Sequence, residues 1–188
     1  MNLREMYKYV LDKLNLEEGD RRNDSIIKTA INNGVIELAK YDCNISEETI
    51  RPLSRVNELP DDFLIELSLY HNQYGLLSDS QYKISGKSLI IPSSIIMYNS
   101  PIGLPEGEEL DYITLIYGTM PDKLVEDTDE PPISSKYHMG IVYYALHEMT
   151  NDSSYYNLFK EIVDSIPVYE SFLDDGDNTE EVKDVYGW

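Results

Sequence analysis

The sequence predicts an α+β fold in which helices from both ends of the chain pack together and an antiparallel sheet region is inserted between them. Three observations lead there. Apolar residues recur at helical spacing over residues 2–41 and again over 134–172. Between them, over about 48–118, two-residue alternation and turn signals take over. After residue 173 neither pattern persists.

The first helix is expected over 2–16, where Leu3, Met6, Tyr7, Val10, Leu11 and Leu14 form one apolar stripe behind the N-cap candidate Asn2. Gly19 lies in the break that follows. A second helix is expected over 24–41, starting near Asp24 or Ser25, with Ile27, Ala30, Ile31, Val35, Leu38 and Ala39 on one face. The two read as an αα-hairpin. Gly34 inside the second costs roughly 1 kcal/mol against Ala, which points to close packing on another helix.

The change after Cys43 is marked by Arg51-Pro52, because a residue before proline is pushed to extended geometry. In Phe63–Leu69 every odd position is apolar and polar residues fall only at even ones, the pattern of a strand with one buried face. Residues 81–92 read as a hairpin with Gly86-Lys87 as a two-residue type II′ loop. Pro101, Gly103, Pro105 and Gly107 mark a surface loop, and Leu110–Tyr117 is a further strand closed by Gly118.

Helix returns after Pro131-Pro132, over 134–150 with Ser134 or Ser135 as cap, and over 153–172. Asn151-Asp152-Ser153 ends one and caps the next, and Pro167 should kink or shorten the last. Residues 1–173 thus read as one domain. The remainder, 174–188, with six acids and one Lys, reads as a flexible acidic tail.

Charge narrows the function classes. The chain has 35 acidic against 15 basic residues, a formal charge of -20. Residues 1–60 hold 11 acids and 9 bases, and residues 61–188 hold 24 and 6, so the acidity belongs to the later part. Phosphate backbones are held mainly by Lys and Arg, so a general nucleic-acid binder is excluded. No apolar run approaches the roughly 20 residues that span a bilayer, and the charged N-terminal stretch is not a signal peptide. A lone Cys43 fits a reducing compartment. Sixteen tyrosines against three Phe and one Trp favour interfaces and half-buried surfaces.

No motif points to catalysis, a metal or a cofactor. Gly86-Lys87-Ser88 imitates the end of a P-loop, but Gln81 stands where its first glycine belongs. His147-Glu148 lacks the second histidine of a zincin helix, and His138 and His147 read as exposed helical residues. Glu126, Asp127, Asp129 and Glu130 offer oxygen ligands at spacings that depart from a calcium loop, and read as a solvated loop. Cys43 has no base beside it in sequence to activate it.

Several pieces nevertheless stand in a telling order. Leu59-Pro60-Asp61-Asp62-Phe63 leads into a strand, and a Tyr-Lys-Ile-Ser-Gly hairpin ends at Pro92. Leu115-Ile116-Tyr117-Gly118 ends a strand, Asp127–Pro132 makes an acidic turn, and a Tyr-rich helix pair follows. Over residues 1–173 this resembles the head–tail adaptor (connector) proteins of tailed bacteriophages. The resemblance implies a virion protein made in the host cytoplasm, with no reaction and no cofactor. It implies a ring, twelve-fold like the portal above it, that joins portal to a tail or stopper protein and lets DNA pass. It further implies a C-terminal segment docked on the portal, for which Val182, Val185, Tyr186 and Trp188 are the candidate anchors.

Two readings from other classes stand beside it. One is an acidic regulatory protein that mimics DNA and binds a basic partner, although the acids cluster in loops and tail and lack phosphate-like spacing. The other is a small hydrolase using an acid pair such as Asp127 and Asp129.

Overall fold

The computed structural model describes residues 1–51, 53–96 and 109–167. In chain order they form helices α1 (Leu3–Leu14) and α2 (Arg21–Ala39), then strands β1 (Ile45–Ile50), β2 (Val56–Glu58), β3 (Phe63–His71), β4 (Gly75–Leu76), β5 (Lys83–Ser85), β6 (Ser88–Ile90) and β7 (Ile113–Thr119). A 3₁₀ turn (Ser135–Tyr137) leads into α3 (His138–Thr150), and α4 (Ser153–Asp164) follows. The class is α+β, with every strand pairing antiparallel.

Helix boundaries follow their caps more closely than their apolar stripes. Asn2 accepts from the Glu5 amide at 2.9 Å while Glu5 accepts from the Asn2 amide at 3.0 Å, a reciprocal capping box. Helix α2 begins earlier than its apolar repeat suggests. Asp20 accepts from the Arg22 amide at 3.0 Å and starts a polar first turn that the spacing of apolar residues does not register. Ser134 occupies the N-cap position of the 3₁₀ turn but makes no side-chain cap, so regular α-helix begins only at His138. Asn151, left-handed at φ 56°, closes α3, and Asp152 caps α4 through the Ser154 amide at 2.8 Å. The last helix stops at Asp164, short of residue 172, because Ile166 precedes Pro167 and cannot stay helical without strain. Residues 168–172 lie outside the described residues.

Helices from both ends share one core, including Leu3, Met6, Ile27, Ile31, Leu38, Ile141 and Phe159. Helix α2 packs mainly on α3, and α1 rests on both, so the N-terminal hairpin is held through the C-terminal pair. Gly34 marks a close approach of α2 to α3: a Cβ there would lie 2.7 Å from the Ile141 carbonyl oxygen.

Strands form a four-stranded sheet, β1-β7-β3-β4, and a three-stranded one, β2-β6-β5. They enclose a second core built on Leu53, Leu69, Leu89, Ile91, Ile113 and Leu115. The β5–β6 hairpin turns at Gly86, φ 59°, as a II′ loop requires. Two expectations fail in detail. The register of β3 against β7 shifts between Phe63 and Ile65 and again between Glu66 and Ser68. Each extra residue reverses the faces, so Leu69 is buried in the core while Ile65 lies on the other side. Gly118 does not close its strand. It sits inside β7 between Ile45 and Ile65, where the Cys43 side chain crosses and leaves no room for a Cβ.

Candidate interaction surfaces

Residues at the joints between elements make up the most organised polar sites of the described molecule. The segment Leu59–Phe63 is one. Leu59 is buried under the sheets, its amide donating to the Lys87 carbonyl at 3.0 Å. The Phe63 amide closes a turn on Pro60 at 3.1 Å, and Phe63 stacks on Tyr117 with ring centroids 5.9 Å apart. The Asp62 carboxylate accepts from the Tyr117 hydroxyl at 3.0 Å, and its carbonyl accepts from the Met120 amide at 2.6 Å. Asp61 pairs with Lys87 at 2.9 Å on the exposed hairpin, a contact of little energetic weight. Two sequence pieces far apart in the chain, Asp61-Asp62 and Tyr117-Gly118, are thus one joint.

The acidic turn is the second joint. The Leu3 and Arg4 amides, left free by the first turn of α1, donate to the Asp129 and Asp127 carbonyls at 2.8 and 3.1 Å. The Asp129 carboxylate accepts from the Val125 and Glu126 amides, both at 2.8 Å, and these bonds hold its pKa below the usual carboxylate range. Asp127 pairs with Lys28 at 3.2 Å and Arg4 at 3.5 Å. Asn32 locks the approach to this turn: its side chain exchanges hydrogen bonds with the Leu124 amide at 2.8 Å and carbonyl at 3.1 Å. Asn32 is buried, and sequence reasoning passed over it because a polar residue beside an apolar stripe looks solvent-facing. Asp127 and Asp129 therefore have architectural partners, and among the described residues no cluster of three or more His, Cys, Asp or Glu is placed to hold a metal ion.

Tyrosine answers part of the acid excess. Tyr7 donates to Asp24, Tyr82 to Glu66 and Tyr117 to Asp62, each between separate segments of the chain. Burial and the adjoining carboxylate push the Tyr7 phenol up to about 12, and the same causes, burial first, raise Tyr82 further and Tyr117 as well. With bases scarce, neutral phenols supply the donors that carboxylates need.

His138 is not exposed: it is buried at the start of α3, Nε2 against the Ile133 carbonyl at 2.8 Å and Nδ1 against the Met1 amine at 2.6 Å. Burial pulls its pKa below the ordinary histidine value, with the amine charge adding to the effect. His138 opens α3 and shares its buried face with Ile141, Val142 and Ala145, three, four and seven residues on. His147 is half-buried against Tyr156. Cys43 is buried and its thiol pKa is raised, chiefly by that burial, so it is no activated nucleophile.

Cys43 lines a cleft of about 290 Å³ where the ends of α2 and β7 meet Asp62 and Pro132. Ala39, Met120, Pro121 and Pro132 make its apolar walls, with Asp62 and Asp122 also lining it. Among the described residues, no helix is long and apolar enough to cross a membrane. The proposed anchors Val182, Val185, Tyr186 and Trp188 lie outside the described residues. A family model described as SU10 adaptor protein matches residues 1–180. No curated protein matches the chain.

Proposed function

The chain belongs to the SU10 adaptor protein family, a phage adaptor family whose members are structural parts of the virion, and from that premise we propose that it is the head–tail adaptor of a tailed phage. In this reading residues 1–173 act as one adaptor unit, copies of which form a ring beneath the portal, twelve-fold to match it. The ring joins portal to a tail or stopper protein, and the packaged DNA passes through it. The subunits are made in the host cytoplasm and end in the virion. The role is assembly and involves no reaction.

The family match over nearly the whole chain is the observation that carries the reading. The structure supports it physically. Two of the segments that resemble the connector proteins, Leu59–Phe63 with Tyr117-Gly118 and the turn at Asp127–Asp129, serve as joints between elements, so these recurring pieces preserve a shape. A passage for DNA is favoured by walls that phosphates do not bind, and carboxylates of residues 61–188 suit its lining. Acidity alone also suits a DNA mimic, but the described acids at the joints are engaged by Tyr hydroxyls and backbone amides, an arrangement that builds a fold and displays no phosphate-like array.

Electron microscopy of the protein alone and with purified portal tests the reading. Rings, or density capping the portal, are expected; a lone monomer that ignores the portal and binds a basic protein instead refutes it. Deleting 174–188 should abolish stable attachment to portal if Val182, Val185, Tyr186 and Trp188 anchor it. Unchanged attachment removes that assignment and leaves the adaptor role standing.

A further inference from the structure

An asparagine side chain can react with the backbone nitrogen of the next residue, and does so most readily where that residue is glycine, because no Cβ hinders the approach. Asn33-Gly34 is the one Asn-Gly pair in the sequence. Such pairs ordinarily mark turns, yet this one lies in the middle of α2. Packing accounts for the glycine. Gly34 is buried where α2 lies on α3, and a Cβ there would stand 2.7 Å from the Ile141 carbonyl oxygen. The missing Cβ that lets the helices meet is also what leaves the Gly34 nitrogen open to attack Asn33. Asn33 is half-buried beside it, and its Nδ2 donates to Glu148 Oε1 on α3 at 2.8 Å.

The folded helix holds the reaction off in three ways. Ring closure needs the Gly34 nitrogen to swing over Asn33 Cγ, and a helical ψ of about -42° keeps the two apart. The Gly34 amide lies inside α2, where it donates to the carbonyl of Ala30, four residues earlier. Nδ2, the nitrogen that would leave, is tied to Glu148. All three restraints are released together when α2 lifts from α3 and unwinds at Gly34.

We propose that Asn33-Gly34 is a self-modification site, silent while α2 lies on α3 and reactive when the two part. The Gly34 nitrogen gives its proton to water or hydroxide and bonds to Asn33 Cγ. The Cγ–Nδ2 bond breaks and ammonia leaves, taking up a proton, so a succinimide ring stands in the chain. Water then opens the ring at one of its two carbonyls. Opening at Cγ leaves aspartate, and opening at the backbone carbonyl leaves isoaspartate, with the main chain rerouted through the former side chain. No oxidant or reductant takes part. Both products oppose the original packing. Aspartate at position 33 faces Glu148, the former acceptor of its hydrogen bond, and lies one turn before Glu37. Isoaspartate adds a methylene to the main chain inside α2 and breaks its hydrogen-bond series. A chain whose α2 has opened thus acquires a permanent mark at the place where it opened.

Peptide mass spectrometry of the full chain, aged in neutral buffer and in guanidinium chloride, tests the assignment. In denaturant Asn33 should convert well ahead of Asn23 and Asn151, each of which is followed by Asp. In native buffer its conversion should be slower by about a hundredfold or more, as for a site reached only when core helices open. Gly34→Ala should suppress the reaction in denaturant, where packing plays no part. Chains aged in denaturant and returned to buffer should regain native circular dichroism only in the fraction free of isoaspartate. Asn33→Asp should lower the denaturation midpoint, and adding Glu148→Gln should recover most of that loss, because an amide again meets a carboxylate. Equal rates in buffer and denaturant overturn the gating by α2 and α3. Survival of Asn33 in denaturant for as long as Asn23 and Asn151 overturns the site itself. Full refolding of isoaspartate-bearing chains, or an unchanged midpoint for Asn33→Asp, overturns the claim that the mark disables α2.

Discussion

Gly34→Ala gives the sharpest test of how the helical body is built, because two physical effects predict opposite signs. Helix propensity alone makes alanine better by about 0.8–1.0 kcal/mol in the middle of a helix. Packing opposes this. The new Cβ would stand 2.7 Å from the Ile141 carbonyl oxygen and 3.2 Å from its Cγ2, whereas carbon–oxygen contacts settle at about 3.3–3.6 Å. The obstacle is main chain inside α3, so it cannot swing aside as a side-chain tip would. Helices α2 and α3 must instead part by roughly 0.6 Å, and a gap of that size forfeits about a quarter to a half of each contact's dispersion energy. Overpacking of this kind costs about 1–3 kcal/mol. Subtracting the propensity gain leaves a net loss of about 0–2 kcal/mol. Urea unfolding followed by far-UV circular dichroism measures it, with an unchanged m value showing that stability alone moved. A stabilisation of about 1 kcal/mol, the propensity result, would refute the close approach of α2 to α3.

Three further outcomes follow from named contacts. Asn32→Ala should destabilise the protein by about 2–3 kcal/mol in the same unfolding experiment, since it strips the Leu124 amide and carbonyl of their buried partner; a change under about 0.5 kcal/mol would mean that water replaces it. Gly118→Ala should be severely destabilising, because its Cβ would fall 2.4 Å from Cys43 Sγ. Adding Cys43→Ala should recover part of the loss, and strict additivity in that double-mutant cycle would count against the contact. The lowered pKa of buried His138 sets a pH dependence: below about pH 6.5 the unfolded chain takes up a proton that the folded one resists, so stability falls as pH drops through that window. His138→Gln should flatten this slope relative to wild type, and an unaltered slope would assign it elsewhere; His71, buried with its pKa shifted the same way, is the next residue to replace.

Much of the fold was legible because it is written locally. Asn2 with Glu5, Asn151 with Asp152, and Gly86 in its loop each act within a few residues, and their signals need no knowledge of the rest of the chain. Apolar stripes marked all four helices for the same reason. The misses share a different cause. The two bulges in β3 depend on how it meets β7, some fifty residues later, so simple alternation misassigned Ile65. His138 was misplaced because the Met1 amine that meets it is brought there only by the folded chain. Asn32 went unnoticed because its partner, Leu124, is brought to it only by the folded chain.

For function the division is similar. Order of short motifs was enough to suggest the connector proteins, and the family match agrees. What those motifs do emerged from their geometry: Asp62 meets Tyr117, and the turn at Asp127–Asp129 receives the free amides of α1. The acid excess, a bulk property in sequence, divides in three dimensions into carboxylates tied to phenols and amides and carboxylates left on the surface.

By itself, then, the sequence determined the class of fold, the caps and turns, and the sign of the protein's field, because all of these depend on neighbours within a turn or on simple addition of charge. Tertiary structure alone decided which residues each side of the large sheet presents, where Gly34 and Gly118 admit another chain segment, and which acids are engaged. Those depend on strand register and helix packing between residues far apart in the chain, and no local pattern encodes a distance in space.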